Sequence, residues 1–295
     1  MTWAAAKKSF ANAIRNVEDH HTIQVSAALS YYFFLAVFPV LIVLSVLLSW
    51  VPVPDLFNWA LGTIARVVPP QAMTTVYSVL DGVITSHRRT WLSVGMLGML
   101  WVASSSFDAL IEALNIAYDI RDKRPFWKTR LLAFGLGAMC GFLFLIGLLV
   151  VMVGPRFGDW IAAKLQAPRL LASLWGPLHW MLAVALTILA VELLYFLAPC
   201  EKPKFVHTLP GSFITVGAWL GLSTLLGIYF RHFANYSRVY GTLGGFIAFM
   251  TWLQWTSFAF LLGAEFNAEL SKRRREKASG NNRSAVREAS ARRVA

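Results

Sequence analysis

WLSVGMLGMLWVASSSFDALIEALNIA, residues Trp91–Ala117, decides how many times this chain crosses a membrane. A span needs about 20 predominantly apolar residues, and this stretch has the length. Ser104-Ser105-Ser106, Asp108 and Glu112 interrupt it. Taken as a loop, it leaves five spans and termini on opposite sides. Taken as a span, it gives six, with both termini on one side. The other five runs, 28–50, 131–153, 177–198, 209–230 and 242–266, are cleaner.

Loop charge separates the two solutions. With six spans, the side of the termini carries 19 of the 27 Lys and Arg, and the opposite side carries 8. The short connection 118–130 alone has five. Such asymmetry marks a cytoplasmic face. The expectation is an all-α, polytopic membrane protein with six transmembrane helices and both termini cytoplasmic.

Composition agrees. Of 295 residues, 57% are hydrophobic and 14% charged, and a soluble domain cannot hide that much apolar surface. The net charge of +12 would suggest nucleic acid in a soluble protein. Here nine basic residues fall in the tail from Lys272 onward, which points to anionic lipid headgroups and topology instead. Cys140 and Cys200 form neither a disulfide framework nor a zinc spacing. The first apolar run lacks a cleavage pattern and is expected to be retained.

Outside the spans, Trp3, Phe10, Ile14 and Val17 recur at helical spacing in the segment 1–27. They fit a helix in the inner headgroup layer or an ordinary packed amphipathic helix. The external loop 51–90 contains two short amphipathic patterns, around Leu56–Ile64 and Met73–Ile84, separated by Pro69-Pro70. The basic tail 271–295 reads as disordered. Gly137-x-x-x-Gly141, Gly217-x-x-x-Gly221 and Gly241-x-x-x-Gly245 would let helices approach closely within the bundle. Pro39 is a candidate kink in the first span. Tyr31 and Tyr32 suit an aromatic belt.

Several runs resemble the YihY/BrkB family of bacterial inner-membrane proteins. They are Ala28–Pro39 (ALSYYFFLAVFP), Ala113–Tyr118 (ALNIAY), Arg124–Arg130 (RPFWKTR), Tyr240–Gly245 (YGTLGG) and Gly263–Glu269 (GAEFNAE). The similarity covers roughly residues 10–270 and implies six helices in the inner membrane. The family has carried the names ribonuclease BN and virulence factor, and neither is a mechanism.

A metal-dependent nuclease needs clustered His and Asp ligands facing water. The six histidines are scattered, and His20-His21 beside Asp19 read as a solvated polar turn. No phosphate-binding loop or nucleophile elbow is present, and the basic tail lacks aromatics for base stacking. No catalysis, cofactor, metal or nucleic-acid partner is expected.

The carboxylates are the candidates for function. An ionisable group at membrane depth costs about 2.5–3.5 kcal/mol on insertion scales, so it faces protein or a water-filled cavity. Asp108, Glu112, Asn115, Glu192 and Glu265 should lie toward the cytoplasmic half, forming a candidate polar cavity. Arg121, Arg124, Lys128 and Arg130 are candidate headgroup or ion-pair partners. Two readings stay open: ion pairs that lock helices together, or a cavity that binds a cation, a proton or an amphiphile's polar head. The expected role is a transporter or flippase-like factor for lipids or amphiphilic envelope components. The alternative is a membrane scaffold, with a homo-oligomer or an envelope protein as possible partners.

Overall fold

Backbone in lipid must satisfy its own N–H and C=O groups, and a helix does so within one segment. In the computed structural model, the long apolar runs are accordingly helical: α1 (Thr22–Ser49), α2 (Arg89–Ala117), α3 (Phe126–Lys164), α4 (Pro168–Leu197), α5 (Phe205–His232) and α6 (Tyr236–Val294). The structure describes residues 12–13, 15–49, 89–164, 168–201, 203–232 and 236–294. The expected external amphipathic helices, and Trp3, Phe10 and Ile14, lie outside the described residues.

Helices adjacent in sequence pack together, and α6 returns to α1, so the six close into a ring with α2 also touching α6. The ring has one well-packed end, where α2 and α4 finish, α3 and α5 begin, and α6 passes through residues 260–270. There Leu29, Ile111, Leu114, Leu136, Tyr195 and Leu261 form the core. Away from it the bundle turns apolar side chains outward, including Phe142, Phe144, Trp180 and Met181. Lipid, unlike water, accepts that surface.

Among the described residues, five stretches, in α1, α3, α4, α5 and α6, are long and apolar enough to cross a membrane, and in α2 side chains are described only from Trp101 to Ala117, a stretch shorter than a span. Ser104, Ser106 and Asn115 point into protein, while Trp101, Val102 and Ile116 face outward.

The helices outrun the expected spans. The 39 residues of α3 extend about 58 Å and the 59 of α6 about 88 Å, well beyond a hydrocarbon core of about 30 Å. The tail expected to be disordered from 271 instead continues α6 as helix to Val294. Its Ala, Glu, Lys and Arg are good helix formers, and they propagate a helix that is already nucleated. Pro39 stays inside an uninterrupted α1.

Two non-glycine residues adopt left-handed backbone at the packed end. His21 (φ 50°) precedes α1, and Asp119 (φ 53°) follows α2. At Asp119 the chain closes α2 with Asp119 N–H to Ile116 O and Ile120 N–H to Asn115 O, 2.9 Å each. This satisfies carbonyls that the helix end leaves open.

The glycine expectation is corrected for two of the three repeats, while the surroundings of Gly241-x-x-x-Gly245 lie outside the described residues. Gly141, Gly217 and Gly221 face open space, and Gly137 meets only the Phe107 ring at 3.2 Å. Close approach occurs instead between α5 and α6 at Gly211 and Gly263. A Cβ on Gly263 would collide with Thr215 Oγ1 and lie 2.7 Å from both Gly211 O and the Tyr195 hydroxyl.

Candidate functional site

Polar groups gather at the packed end in four clusters. The deepest surrounds Glu192 on α4, which is fully buried. Thr208 Oγ1 donates to its Oε1, and Ser212 Oγ donates to Oε2 at 2.6 Å. Asn267 on α6 then clamps α5: its Nδ2 donates to Thr208 O at 2.8 Å and its Oδ1 accepts from Gly211 N–H at 2.9 Å. The Tyr195 hydroxyl donates to Phe260 O and sits 2.6 Å from Thr215 Oγ1. These bonds need α5 and α6 in near-backbone contact, which the two glycines permit.

A second cluster holds α2 against the loops. Asn115 Nδ2 donates to Asp122 Oδ2, and its Oδ1 accepts from Cys200 N–H, both at 2.9 Å. Arg124 grips Asp122 through Nε and Nη2 and also donates to Ala198 O at 2.9 Å. Partial burial pushes the Asp122 carboxyl up. The bonds and charge of Arg124 outweigh this and hold it below the ordinary carboxylate value.

The third cluster is built on Arg130, a buried guanidinium at the start of α3. Its Nη2 donates to Trp101 O at 2.7 Å and to Ser105 Oγ at 2.9 Å, and its Nη1 pairs with Asp108 at 3.5 Å. The guanidinium also lies 4.1 Å over the Trp101 ring, a cation–π placement.

The fourth joins the N-terminal segment to α6. His20 Nδ1 meets Glu265 Oε1 at 2.7 Å, and Asn12 Nδ2 donates to Glu269 Oε1 at 2.8 Å. Glu269 also accepts from Arg273. Between these bonds Ala13 packs with Phe266 and Leu270, and Val17 is buried. Of the two expectations for this segment, its described part follows the packed amphipathic helix.

Beside this latch opens a polar cleft of about 530 Å³. Asp19, Asp119, Glu201, Glu269 and Glu276 face it from one sign, Lys272 and Arg275 from the other, with His20 and Tyr118 at its wall. Burial pushes the Tyr118 phenol up, Asn267 opposes this, and Glu192 and Glu265 add to it. The phenol therefore remains neutral near pH 7.

The expected carboxylate cavity is thus divided. Asp108 is matched to Arg130, Glu192 is enclosed by hydroxyls, and Glu112 is exposed on α2. None of these lines the cleft; Asn115 pins loops. Glu265, expected at the interface, is 1% exposed and reaches the cleft only through His20. Arg124 and Arg130 make ion pairs, whereas Arg121 and Lys128 stand exposed. His20, read as part of a solvated turn, is instead a partner of Glu265. Sequence reasoning also missed Tyr118, Asn267, Thr208 and Ser212. Tyr118 and Asn267 lie inside the ALNIAY and GAEFNAE runs, which was the available signal. Among the described residues, no three His, Cys, Asp or Glu side chains form a group able to hold a metal ion.

A family model described as virulence factor BrkB matches residues 13–288. The ribonuclease-like protein YfkH of Bacillus subtilis is 33% identical over 87% of this chain and 92% of its own length. A UPF0761 membrane protein of Tolumonas auensis is 26% identical over 86% of this chain and 82% of its own. The UPF0761 membrane protein PA0951 of Pseudomonas aeruginosa is 25% identical over 84% of this chain, which spans 59% of that longer protein. No solved structure matches.

Proposed function

We propose, for a chain that belongs to the virulence factor BrkB family of membrane proteins, a transporter or flippase-like role on lipids or amphiphilic envelope components. In this reading it is a multi-pass protein of the bacterial inner membrane, with six spans and both termini in the cytoplasm. Loop charge supports that orientation, and the inward-turned Ser104, Ser106 and Asn115 support α2 as the sixth span.

The observation that carries the role is the polar cleft of about 530 Å³ at the packed end. Its carboxylates suit an ammonium, and Lys272 and Arg275 suit a phosphate. A zwitterionic amine headgroup matches that mixture better than a purely anionic one. Anionic headgroups would meet the basic residues of the chain beyond the cleft, from Lys277 onward. The reading assigns the chain no catalytic step and no nucleic-acid partner.

Reconstitution tests it. Fluorescent phosphatidylethanolamine and phosphatidylglycerol would be placed in proteoliposomes, and the inner-leaflet fraction followed by quenching from outside. Accelerated translocation of the amine lipid, slowed by K272E and R275E together, is expected. Translocation of both lipids at the rate of protein-free vesicles would overturn the assignment.

A scaffold reading has one observation in its favour: α6 runs as helix well past the bundle, a shape suited to partner contact. Deleting residues 277–295 separates the two. A scaffold loses its cellular function while translocation in vesicles persists.

A further inference from the structure

Glu265 differs from the other acids at the packed end. Both oxygens of Glu192 accept hydroxyl hydrogen bonds, and Asp108 faces a guanidinium. Glu265 is 1% exposed, yet among the described residues only Oε1 has a hydrogen-bond partner, His20 Nδ1 at 2.7 Å. Oε2 is buried without one, although the Asn16 amide is close by. A buried acceptor left unpaired is costly, and a buried carboxylate charge is more so. The structure therefore holds a group that gains by taking something up.

What it takes up is limited by space. The crevice bounded by His20, Thr22, Val25, Ala113, Leu261 and Glu265 has no volume for a water-sized particle. A metal ion or a water needs side chains to move first. A proton does not.

Access is through His20. Its side chain is 25% exposed, and it lines both the dry crevice and the polar cleft. Imidazole titrates near neutral pH and carries a proton on either nitrogen. We propose that Glu265 and His20 form a proton-exchange site, in which His20 carries protons between the water of the cleft and the buried carboxylate. A proton from cleft water binds His20 Nε2, and the Nδ1 proton passes to Glu265 Oε1. Neutral imidazole and a carboxylic acid remain, so one proton is gained and no other bond changes. The reverse sequence returns it.

The surroundings are consistent with this exchange. From the N-terminal segment the pair is faced by Asn16 and Asp19, and from the end of α2 by Tyr118 and Asp119. On α6 itself Glu269 lies one turn on, already engaged by Asn12 and Arg273, with Lys272 and Arg275 across the cleft. The described part of α1 next to it offers the hydroxyl of Thr22 rather than a charge. The acids of the cleft, Asp19, Asp119, Glu201, Glu269 and Glu276, thus outnumber Lys272 and Arg275. His20 also ties the N-terminal segment to α6, so the proton sits at the joint that closes one wall of the cleft.

Infrared difference spectroscopy of the full-length protein in lipid nanodiscs, recorded between acidic and alkaline buffer, tests this directly. Wild type is expected to show the carbonyl band of a buried protonated carboxyl group. The band should be lost in E265Q, retained in E269Q and shifted in pH midpoint in H20Q. A spectrum unchanged by E265Q, or a midpoint unchanged by H20Q, overturns the proposal. Nitrogen NMR of labelled histidine in the wild-type protein guards against a variant that does not fold. His20 should show a hydrogen-bonded Nδ1 that exposed His21 lacks, and the same Nδ1 signature in both would overturn it. Neither readout involves transport. A positive result with inert proteoliposomes would leave this site standing and remove the transport reading.

Discussion

Replacing Gly263 with alanine tests whether the packed end depends on backbone contact between α5 and α6. The added Cβ collides with Thr215 Oγ1 and comes within 2.7 Å of Gly211 O and of the Tyr195 hydroxyl. Thr215 could rotate away, but Gly211 O is backbone, so the helices must separate. Overpacking of this kind costs about 1–3 kcal/mol. Separation also weakens the Tyr195–Thr215 and Asn267–Gly211 hydrogen bonds, at about 1 kcal/mol each. Alanine recovers about 1 kcal/mol of helix propensity. The net expectation is a loss of about 2–4 kcal/mol, or a fall in Tm of roughly 5–15 °C at the sensitivity of a domain this size. G221A is the control, because its Cβ meets nothing within 4 Å and only the propensity gain remains. Thermal unfolding of detergent-solubilised protein, followed by tryptophan fluorescence and size-exclusion recovery, reads both. Wild-type stability in G263A, or an equal loss in G221A, would refute the argument.

Other perturbations address the remaining clusters. R130K replaces a fork that reaches Trp101 O, Ser105 and Asp108 with a single ammonium; thermal unfolding should show a loss of about 1–3 kcal/mol. N115A leaves Cys200 N–H without its acceptor and releases the 120–124 loop. Trypsin cleavage after Lys123 in the membrane-bound protein should accelerate severalfold over wild type, and an unchanged rate would contradict the pinning role. Asp122 supplies a pH dependence. Its folded value lies below the unfolded one, so its stabilisation is complete above the ordinary carboxylate value and is lost as pH falls through the depressed folded value. The wild-type minus D122N difference in Tm should be constant from neutral pH down to about pH 5 and shrink below about pH 4, near the unfolded carboxylate value. A difference that stays constant into stronger acid would remove the Arg124 explanation.

How much of this was legible beforehand differs by level. Helix positions followed from apolar length, because lipid permits few ways of satisfying a backbone. At Trp91–Ala117 the structure gives a helix, and its reading as a sixth span rests on loop charge. Helix ends were less legible: α1 begins at Thr22 and α3 at Phe126, where polar residues extend the helix beyond its apolar core. The basic tail was misjudged because composition alone does not register a helix already nucleated upstream.

The candidate site was legible as residue types and not as partnerships. That buried acids would need partners followed from the cost of charge in a low-dielectric interior. Which partner each found depended on how the helices cross. Asp108 took Arg130 from α3, Glu192 took hydroxyls from α5, and Glu265 took His20 from 245 residues away. The glycine repeats show the same division. Their spacing is a local pattern, but close approach requires a second helix on the same face, and among the described glycines backbone comes that near only at Gly211 and Gly263.

From its order of residues alone, the chain determined that it is helical, where its apolar stretches run and which of its ends are basic. These properties arise from each segment's own exchange between water and lipid. Tertiary structure alone decided which carboxylates are neutralised and which one keeps an open oxygen, because hydrogen-bond and charge pairing act over a few ångströms between groups remote along the chain.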